Sequence, residues 1–142
     1  MNANDKILSL INRCDIAMFG NNDEKGNPQI KAMCKTRQEG ISKFWFCSNT
    51  SSKRAAQIKN DNRGCLYFYE NFEGVLLRGT VEVSLDDDLR KSLWEDGMEM
   101  HYPLGALDPD FTVIIFTVES GNYYGGLPTV EFEIDNDKYR EI

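Results

Sequence analysis

The chain has 142 residues, the length of one domain, and a net charge of −7. Hydrophobic residues make up 41% and charged residues 27%, which is typical of a folded globular protein. The negative charge argues against general binding to nucleic acid or to an anionic membrane, because both repel an acidic surface. No apolar run reaches the length of a transmembrane helix, and residues 1–6 lack a signal-peptide pattern, which predicts a cytosolic location.

Four cysteines are present, at positions far apart in the chain: Cys14, Cys34, Cys47 and Cys65. None forms a Cys-x-x-Cys pair, and the chain has one histidine, so neither a zinc site nor a redox pair is expected. Three of them lie in apolar, strand-like segments. We therefore expect reduced thiols that pack in the core as small hydrophobic groups.

The first third of the chain predicts one helix followed by antiparallel strands. Asn4 and Asp5 can cap a helix whose apolar residues lie between Ile7 and Ile11 at helical spacing. In residues 29–36 the pattern alternates, with Lys31 and Met33 on the face opposite Ile30. The strands are predicted at residues 16–19, 29–36 and 44–47, with a turn-rich segment at residues 21–28.

The remaining sequence predicts two more helices inserted among further strands. A short helix follows residues 48–52, and a third begins at Asp86–Asp88 with Leu85, Leu89 and Leu93 aligned. The strands are predicted at residues 65–69, 75–83 and 112–118, then a turn at 120–122, with one more strand or a tail at the end. About six sequential strands with apolar faces favour a mainly β barrel over an open sheet, in a single domain spanning residues 1–142.

Several kinds of catalytic site do not fit the sequence. A serine or cysteine hydrolase needs a base, but His101 is the one histidine and no serine lies in a Gly-x-Ser-x-Gly motif. Gly125–Gly126 is not a phosphate-binding glycine loop. Asp86–Asp88 lacks the spacing of a calcium loop, and His101 with Asp108 and Asp110 fits ordinary loop residues better than a metal site. No metal is expected.

The segment Ser48–Arg54 carries the strongest signal for a ligand site. It follows a buried strand and enters a helix, where free backbone N–H groups and the helix dipole favour an anion. Its hydroxyls, with Lys53 and Arg54, suit a phosphate monoester, and Lys31 and Lys35 add positive charge. The alternative is that Thr50 or Ser51 simply caps the helix. The spacing alone does not decide between the two.

Longer stretches resemble the pyridoxamine 5'-phosphate oxidase-like superfamily of flavin-binding split barrels, in particular its small bacterial general-stress-protein branch. The resemblance spans roughly residues 4–125. It rests on the order and spacing of these segments: Asn27–Met33, Phe44–Lys53, Asn60–Arg63, Tyr67–Tyr69, Leu77–Val83, Trp94, Tyr102–Gly105 and Asp108–Phe111.

The resemblance implies a six-stranded antiparallel split β-barrel, a homodimer, and FMN bound in a groove between the subunits. Lys31 and Met33 would lie along the flavin ring and ribityl chain, and Cys47 and Ser48 would border them. Ser52, Lys53 and Arg54 would hold the phosphate. The resemblance also implies that Trp94 and Tyr124 come from the partner subunit, although each has a plain alternative as a packing residue.

Two departures separate this chain from the oxidases of the family that bind pyridoxal phosphate. Those enzymes carry an Arg-x-His stretch near the C-terminus, whereas this chain has no histidine after His101. Gly74 stands where they place a flavin-contacting glutamine. Oxidation of pyridoxamine phosphate is therefore not expected, although flavin binding is.

Three hypotheses for the function follow from this resemblance. The first is an FMN-dependent oxidoreductase that acts on an unidentified small substrate, with no catalytic acid or base assigned. The second is a flavin-binding module for storage, sensing or stress response that does not turn over. The third is a dimeric scaffold that has lost its cofactor. Because related barrels also bind deazaflavin or haem, the identity of the cofactor has to be measured.

Overall fold

A computed structural model describes residues 1–126 and 128–142 of the chain. Within these residues three α-helices are present, α1 (Ala3–Arg13), α2 (Lys53–Asn60) and α3 (Asp87–Leu93), with short 3-10 turns at Met98–Met100 and Gly105–Leu107. The same residues form nine strands: β1 (Ile16–Asn22), β2 (Pro28–Cys34), β3 (Arg37–Glu39), β4 (Lys43–Asn49), β5 (Arg63–Glu70), β6 (Glu73–Ser84), β7 (Phe111–Tyr124), β8 (Val130–Asp135) and β9 (Lys138–Glu141).

All of these strands belong to one antiparallel sheet, in the order β2-β1-β5-β6-β7-β4-β3. The long strand β7 pairs with β6 along most of its length. On its other side, its first half pairs with β4 and its second half with β8, which in turn pairs with β9. Because β7 is long enough to pair with both β4 and β8 along the same edge, the sheet branches there.

The sheet curls into a half-barrel, as contacts between distant strands show. Strands β1 and β4 are separated by β5, β6 and β7, so in a flat sheet they would lie about 19 Å apart. The rings of Phe19 on β1 and Phe46 on β4 nevertheless meet edge to face, with centroids 5.6 Å apart. Phe44 and Phe68 make a second contact across the interior, also at 5.6 Å. The predicted antiparallel split barrel is confirmed.

Each of the six predicted strands is present, but the count is higher because β3, β8 and β9 are added. The predicted turn at residues 120–122 is wrong, since these residues continue β7. Gly121 fits within the strand because a side chain there would meet the Leu76 carbonyl and the Phe132 ring. The final residues form two strands rather than one. Helix α1 is capped by Asn2, which accepts a hydrogen bond from the Asp5 N–H, not by Asn4 or Asp5.

The buried residues form two clusters on opposite sides of the sheet. The larger fills the barrel and joins α1 and Ile58 of α2 to the inward faces of the strands. The smaller lies between the side of β4 and β7 that points away from the barrel and the segment from α3 to Tyr102, and it includes Leu93 and Phe111. Leu89 packs there as predicted, but Leu85 precedes α3 and is exposed.

The cysteines are all free thiols, but they do not share one environment. Cys14 is buried in the main core, whereas Cys47 and Cys65 are half-buried. Cys34 is exposed, so the expectation of a core position is wrong there. The reason is that β2 is an edge strand whose alternate residues, Ile30 and Cys34 among them, point away from the barrel.

An apolar surface, here named the outer face, covers β1, β2 and β5 on the side away from the core. Its exposed large side chains are Ile16, Met18, Ile30, Tyr67 and Tyr69. The strand registers make it continuous, because Met18 lies opposite both Ala32 and Tyr67. In the part of the chain that the structure describes, no helix is both long and apolar enough to cross a bilayer.

Candidate functional site

The predicted site lies where the barrel is split, between the free edge of β2 and the junction of β4 with α2. Ser52 is the N-cap of α2, and its hydroxyl accepts a hydrogen bond from the Ala55 N–H at 3.1 Å. The alternative that Thr50 or Ser51 caps this helix is therefore wrong. A capping hydroxyl keeps its own proton, so Ser52 can still donate to a ligand.

The residues before Ser52 are fixed by a loop distant in sequence. Asp110 accepts hydrogen bonds from the Asn49 side chain at 2.7 Å and from the Ser51 N–H at 2.8 Å. The Thr50 hydroxyl donates to the Pro109 carbonyl at 2.8 Å. These bonds, the one from Asn49 most of all, hold the pKa of Asp110 below its usual range. The Thr50 hydroxyl is thus already used, and the hydroxyl cluster expected from the sequence is smaller than its composition suggests.

Arg54 provides a half-buried cationic group beside the barrel core. Its guanidinium carbon lies 5.9 Å from the centroid of the Phe19 ring, a cation–π distance. Its Nε is buried and has no hydrogen-bond partner among the described residues. Desolvation by burial lowers the pKa of Arg54 from its ordinary value, although an arginine stays charged. A buried donor without a partner is costly, and an anion placed beside it would remove that cost.

Strand β2 brings Lys31 to the same region. Lys31 lies opposite Phe19 in the register of β1 and β2, and paired residues of antiparallel strands point to the same face. Lys31 is thus a strand neighbour of Phe19 on β2, while Arg54 reaches the Phe19 ring from α2. Lys53, the residue before Arg54, is exposed at the first turn of the helix. Met33 lies opposite Ala17 and packs against the barrel core.

Cys47 and Ser48 lie on opposite faces of β4, because neighbouring residues of a strand alternate. Ser48 shares the inward face with Phe46, which contacts Phe19. Cys47 instead packs in the smaller cluster, and burial raises the pKa of its thiol. The Ser48 side chain therefore lies on the barrel-facing side of β4, and the Cys47 side chain lies on the opposite side.

Trp94 packs in the smaller cluster together with Cys47, whereas Tyr124 lies at the exposed end of β7. Trp94 is half-buried and packs edge to face on Phe111, with ring centroids 5.5 Å apart, and on Tyr102. Tyr124 is exposed at the end of β7, opposite Gly74. Within one chain neither meets the cations, and their contribution from a partner subunit stays a prediction.

Lys35 does not belong to the site, contrary to expectation. It follows the end of β2, and its ammonium donates to the Ile11 carbonyl at 2.6 Å and to Gln38 at 2.7 Å. It therefore adds a second hydrogen bond to a carbonyl in the last turn of α1, which also accepts one from the Cys14 N–H at 3.1 Å. Desolvation by burial lowers the pKa of Lys35 from its ordinary value.

A cavity of about 700 Å³ opens elsewhere, near the outer face, between the β1–β2 hairpin and the start of β5. It is lined by Gly20, Ile30, Cys65, Leu76 and Arg78, among others, and by none of the predicted site residues. The cations around Phe19 lie instead along the open edge of β2. The site and this cavity are therefore separate features.

Sequence reasoning missed two residues that shape the site, Asp110 and Gln57. The role of Asp110 depends on contact with a segment 59 residues away, which no local pattern reveals. Gln57 is buried in α2 and hydrogen-bonded to the β1–β2 hairpin. The available signal in the sequence was a polar residue on the buried face of a short helix, because Gln57 lies next to Ile58 and two residues after Ala55, which are both buried.

Comparisons with known proteins agree with this architecture. Residues 2–130 match the profile of the family described as "Pyridoxamine 5'-phosphate oxidase like". The chain is similar to the crystal structure of a protein from Clostridium acetobutylicum related to general stress protein 26 of Bacillus subtilis, of the pyridoxinephosphate oxidase family. The two are 41% identical over 95% of this chain and 96% of that one, with a TM-score of 0.83.

More distant structures share the fold. General stress protein 26 from Bacillus anthracis is 14% identical over the full length of both chains, with a TM-score of 0.74. An FMN-binding protein related to pyridoxamine 5'-phosphate oxidase, from Nostoc punctiforme, is 15% identical over 98% of this chain and 90% of that one, with a TM-score of 0.70. Among curated proteins no match was found.

Proposed function

Because the chain belongs to the pyridoxamine 5'-phosphate oxidase-like family, we propose that it binds FMN in the split of its barrel and acts as an oxidoreductase on a small substrate. The observation that carries the proposal is Arg54, a half-buried cation whose buried Nε lacks a hydrogen-bond partner among the described residues. The FMN phosphate would supply the missing acceptor, so the residues present fit the group.

The phosphate would be held by cations and hydroxyls from three elements. Arg54 and Lys53 contribute from α2, and Lys31 contributes from β2 on the far side of Phe19. Ser48 and the Ser52 hydroxyl provide neutral donors at the end of β4 and at the helix cap. Charge-assisted hydrogen bonds to phosphate are stronger than neutral ones, so the cations would supply most of the affinity.

Bound FMN would supply the hydride-transfer chemistry, and the protein residues would orient it and limit access of water. The closed side of the barrel, built around Phe19 and Phe46, excludes solvent from beneath Arg54. Cys47 and Met33 would border the ring as the family resemblance implies, Cys47 by its backbone because its side chain points to the other face. We do not propose pyridoxamine-phosphate oxidation, given Gly74 and the lack of a histidine after His101.

A homodimer is part of the proposal, with the outer face as its interface. Five large apolar or aromatic side chains are exposed together there, and a patch of that kind marks an interaction surface. The partner would bring Trp94 and Tyr124 to the flavin. The cytosolic location stays a prediction.

The test is to purify the protein, record its visible spectrum and identify any bound cofactor by mass spectrometry. Stripped protein is then titrated with FMN. Flavin absorption and saturable FMN binding would support the proposal, whereas a deazaflavin, a haem or no binding would overturn it. Bleaching by NADH or NADPH, followed by reoxidation with a candidate acceptor, separates an oxidoreductase from a flavin-binding module that does not turn over.

A further inference from the structure

A buried polar network ties α2 to the β1–β2 hairpin beside the candidate site. Its centre is Gln57, whose side chain is only 8% exposed on α2. The Gln57 carbonyl accepts hydrogen bonds from the amides of Asn21 on β1, at 3.3 Å, and of Gln29 on β2. The Gln57 amide donates to Glu24, in the turn between these strands, at 2.8 Å.

The network joins the two segments that carry the phosphate-binding cations. Gln29 is two residues before Lys31 on β2, so the two side chains point to the same face. Gln57 is one helical turn after Arg54 on α2. Fixing Gln29 against Gln57 therefore fixes the distance between the backbone positions that carry Lys31 and Arg54.

We propose that Gln57 is a positioning residue that sets the spacing of Lys31 and Arg54 for the phosphate of FMN. This inference rests on the function proposed above. Lys31 and Arg54 are long side chains from different elements, and the Arg54 Nε has no described partner to hold it in place. Their convergence on one anion must then come from the elements themselves, and Gln57 joins those elements by three hydrogen bonds at low solvent exposure.

The network has a matched counterpart that lies away from the site. Gln38 also makes three side-chain hydrogen bonds, accepting from Lys35 and donating to Asn12 and to the Gly40 carbonyl. Asn12 belongs to α1, Gly40 to the β3–β4 turn and Lys35 to the segment after β2, and the structure directs all three away from the candidate site. Gln38→Met therefore removes a comparable set of bonds with no effect expected on phosphate binding.

The experiment compares FMN with riboflavin, which has the same ring but no phosphate. Wild type, Gln57→Met, Gln29→Met and Gln38→Met are titrated with both by calorimetry, after circular dichroism confirms the fold. In Gln57→Met we expect FMN affinity to fall by about tenfold while riboflavin affinity stays within about twofold. The tenfold figure is the lower end of the loss in affinity seen when residues that position metal ligands are removed. Gln29→Met should act in the same direction, and decides the question if Gln57→Met does not fold.

The outcomes separate the two proposals. A wild-type chain that binds neither flavin overturns the proposed function. A wild-type chain that prefers FMN to riboflavin, with the same preference in the folded Gln57 or Gln29 variant, overturns only the positioning role. An equal loss of affinity for FMN and for riboflavin in these variants shows a merely structural role and overturns the positioning role. The same loss of preference for FMN in Gln38→Met does so as well.

Discussion

The guanidinium of Arg54 lies over the ring of Phe19, with its central carbon 5.9 Å from the ring centroid. The aromatic face attracts the cation, and the cost of burying the charge is reduced. The ring cannot accept a hydrogen bond from every donor, however, and Nε has no partner among the described residues. Arg54 is thus attracted to the ring, but its Nε is left without a hydrogen-bond partner, which is the state expected of a residue that binds an anion.

Replacing Arg54 by Met separates ligand binding from stability. The substitution keeps an apolar stem near Phe19 but removes the buried Nε and the charge. Without flavin, we expect the free energy of unfolding to be unchanged or higher, because an unpartnered buried donor costs about 1–3 kcal/mol. FMN affinity should fall at least about tenfold. Urea unfolding and calorimetric titration check the two effects, and a stability loss with unchanged FMN affinity would contradict the assignment.

Lys53 tests the contribution of an exposed cation at the same helix end. In Lys53→Ala we expect FMN affinity to fall by about ten- to a hundredfold, since a charged hydrogen bond contributes about 1.5–3 kcal/mol. Lys59→Ala is the control, because Lys59 is exposed at the other end of α2. Calorimetry with both variants checks the prediction. Unchanged FMN binding in a folded Lys53→Ala protein would refute the phosphate assignment.

The strands were predictable because alternation and apolar runs are local properties. Six sequential strands predict a barrel, the family resemblance implies that it is split, and the cations at positions 53 and 54 form a visible cluster next to a helix start. The turn expected at residues 120–122 failed because Ser-Gly-Asn has turn composition. In the structure Gly121 lies in β7 under Phe132, a contact between strands that the local sequence does not encode.

The details of the site depended on contacts between distant residues. Ser52 caps α2, and the two residues before it bond to a distant loop, the Thr50 hydroxyl to the Pro109 carbonyl and the Ser51 N–H to Asp110. Lys35 was placed with Lys31 by strand alternation, but β2 ends at Cys34 and Lys35 turns to α1. Composition thus identified the segment, and the partners from elsewhere in the chain decided which of its residues remain free.

Asp110 makes the stability of the site segment dependent on pH. Its hydrogen bonds, first the one from Asn49, lower its pKa in the folded state. A carboxyl group with a lowered folded pKa stabilises the protein above its unfolded pKa, and this contribution is lost as the pH falls through the folded pKa. Asp110→Asn should therefore lower the melting temperature near pH 7, and by clearly less at about pH 2.

The control for Asp110→Asn is Asp96→Asn, which changes the same charge at an exposed position. Scanning calorimetry of both variants and wild type at the two pH values gives the comparison. An equal loss at both values, or no loss near neutral pH, would count against the role assigned to the Asp110 carboxylate.

Gly79 tests the packing of β6 on β7. The register between these strands shifts at Arg78 and Gly79, and a Cβ added at Gly79 would lie 1.9 Å from the Thr117 carbonyl oxygen. Because that atom belongs to the backbone, the strands would have to separate. We expect Gly79→Ala to lower the free energy of unfolding by about 2–4 kcal/mol, measured in urea. The neighbouring exposed Arg78→Ala should cost far less, and similar losses in the two variants would contradict the steric argument.

The outer face tests the proposed homodimer. Met18 is 43% exposed at the centre of this face, between Ala32 and Tyr67. In a dimer formed through the outer face, Met18→Lys would bury a charge against apolar groups, so we expect it to raise the dissociation constant by at least about a hundredfold. Leu107→Lys is the matched control, because Leu107 is 44% exposed and lies in the 3-10 turn Gly105–Leu107, outside the strands that form this face.

Sedimentation velocity over a range of concentrations measures the association of wild type and both variants. The proposal requires a wild-type dimer, a Met18→Lys monomer at the same concentration, and a Leu107→Lys dimer. A wild-type protein that stays monomeric would contradict the proposed homodimer. A Met18→Lys dimer as stable as wild type would place the interface elsewhere, because a buried unpaired ammonium among these side chains cannot be tolerated without loss of affinity.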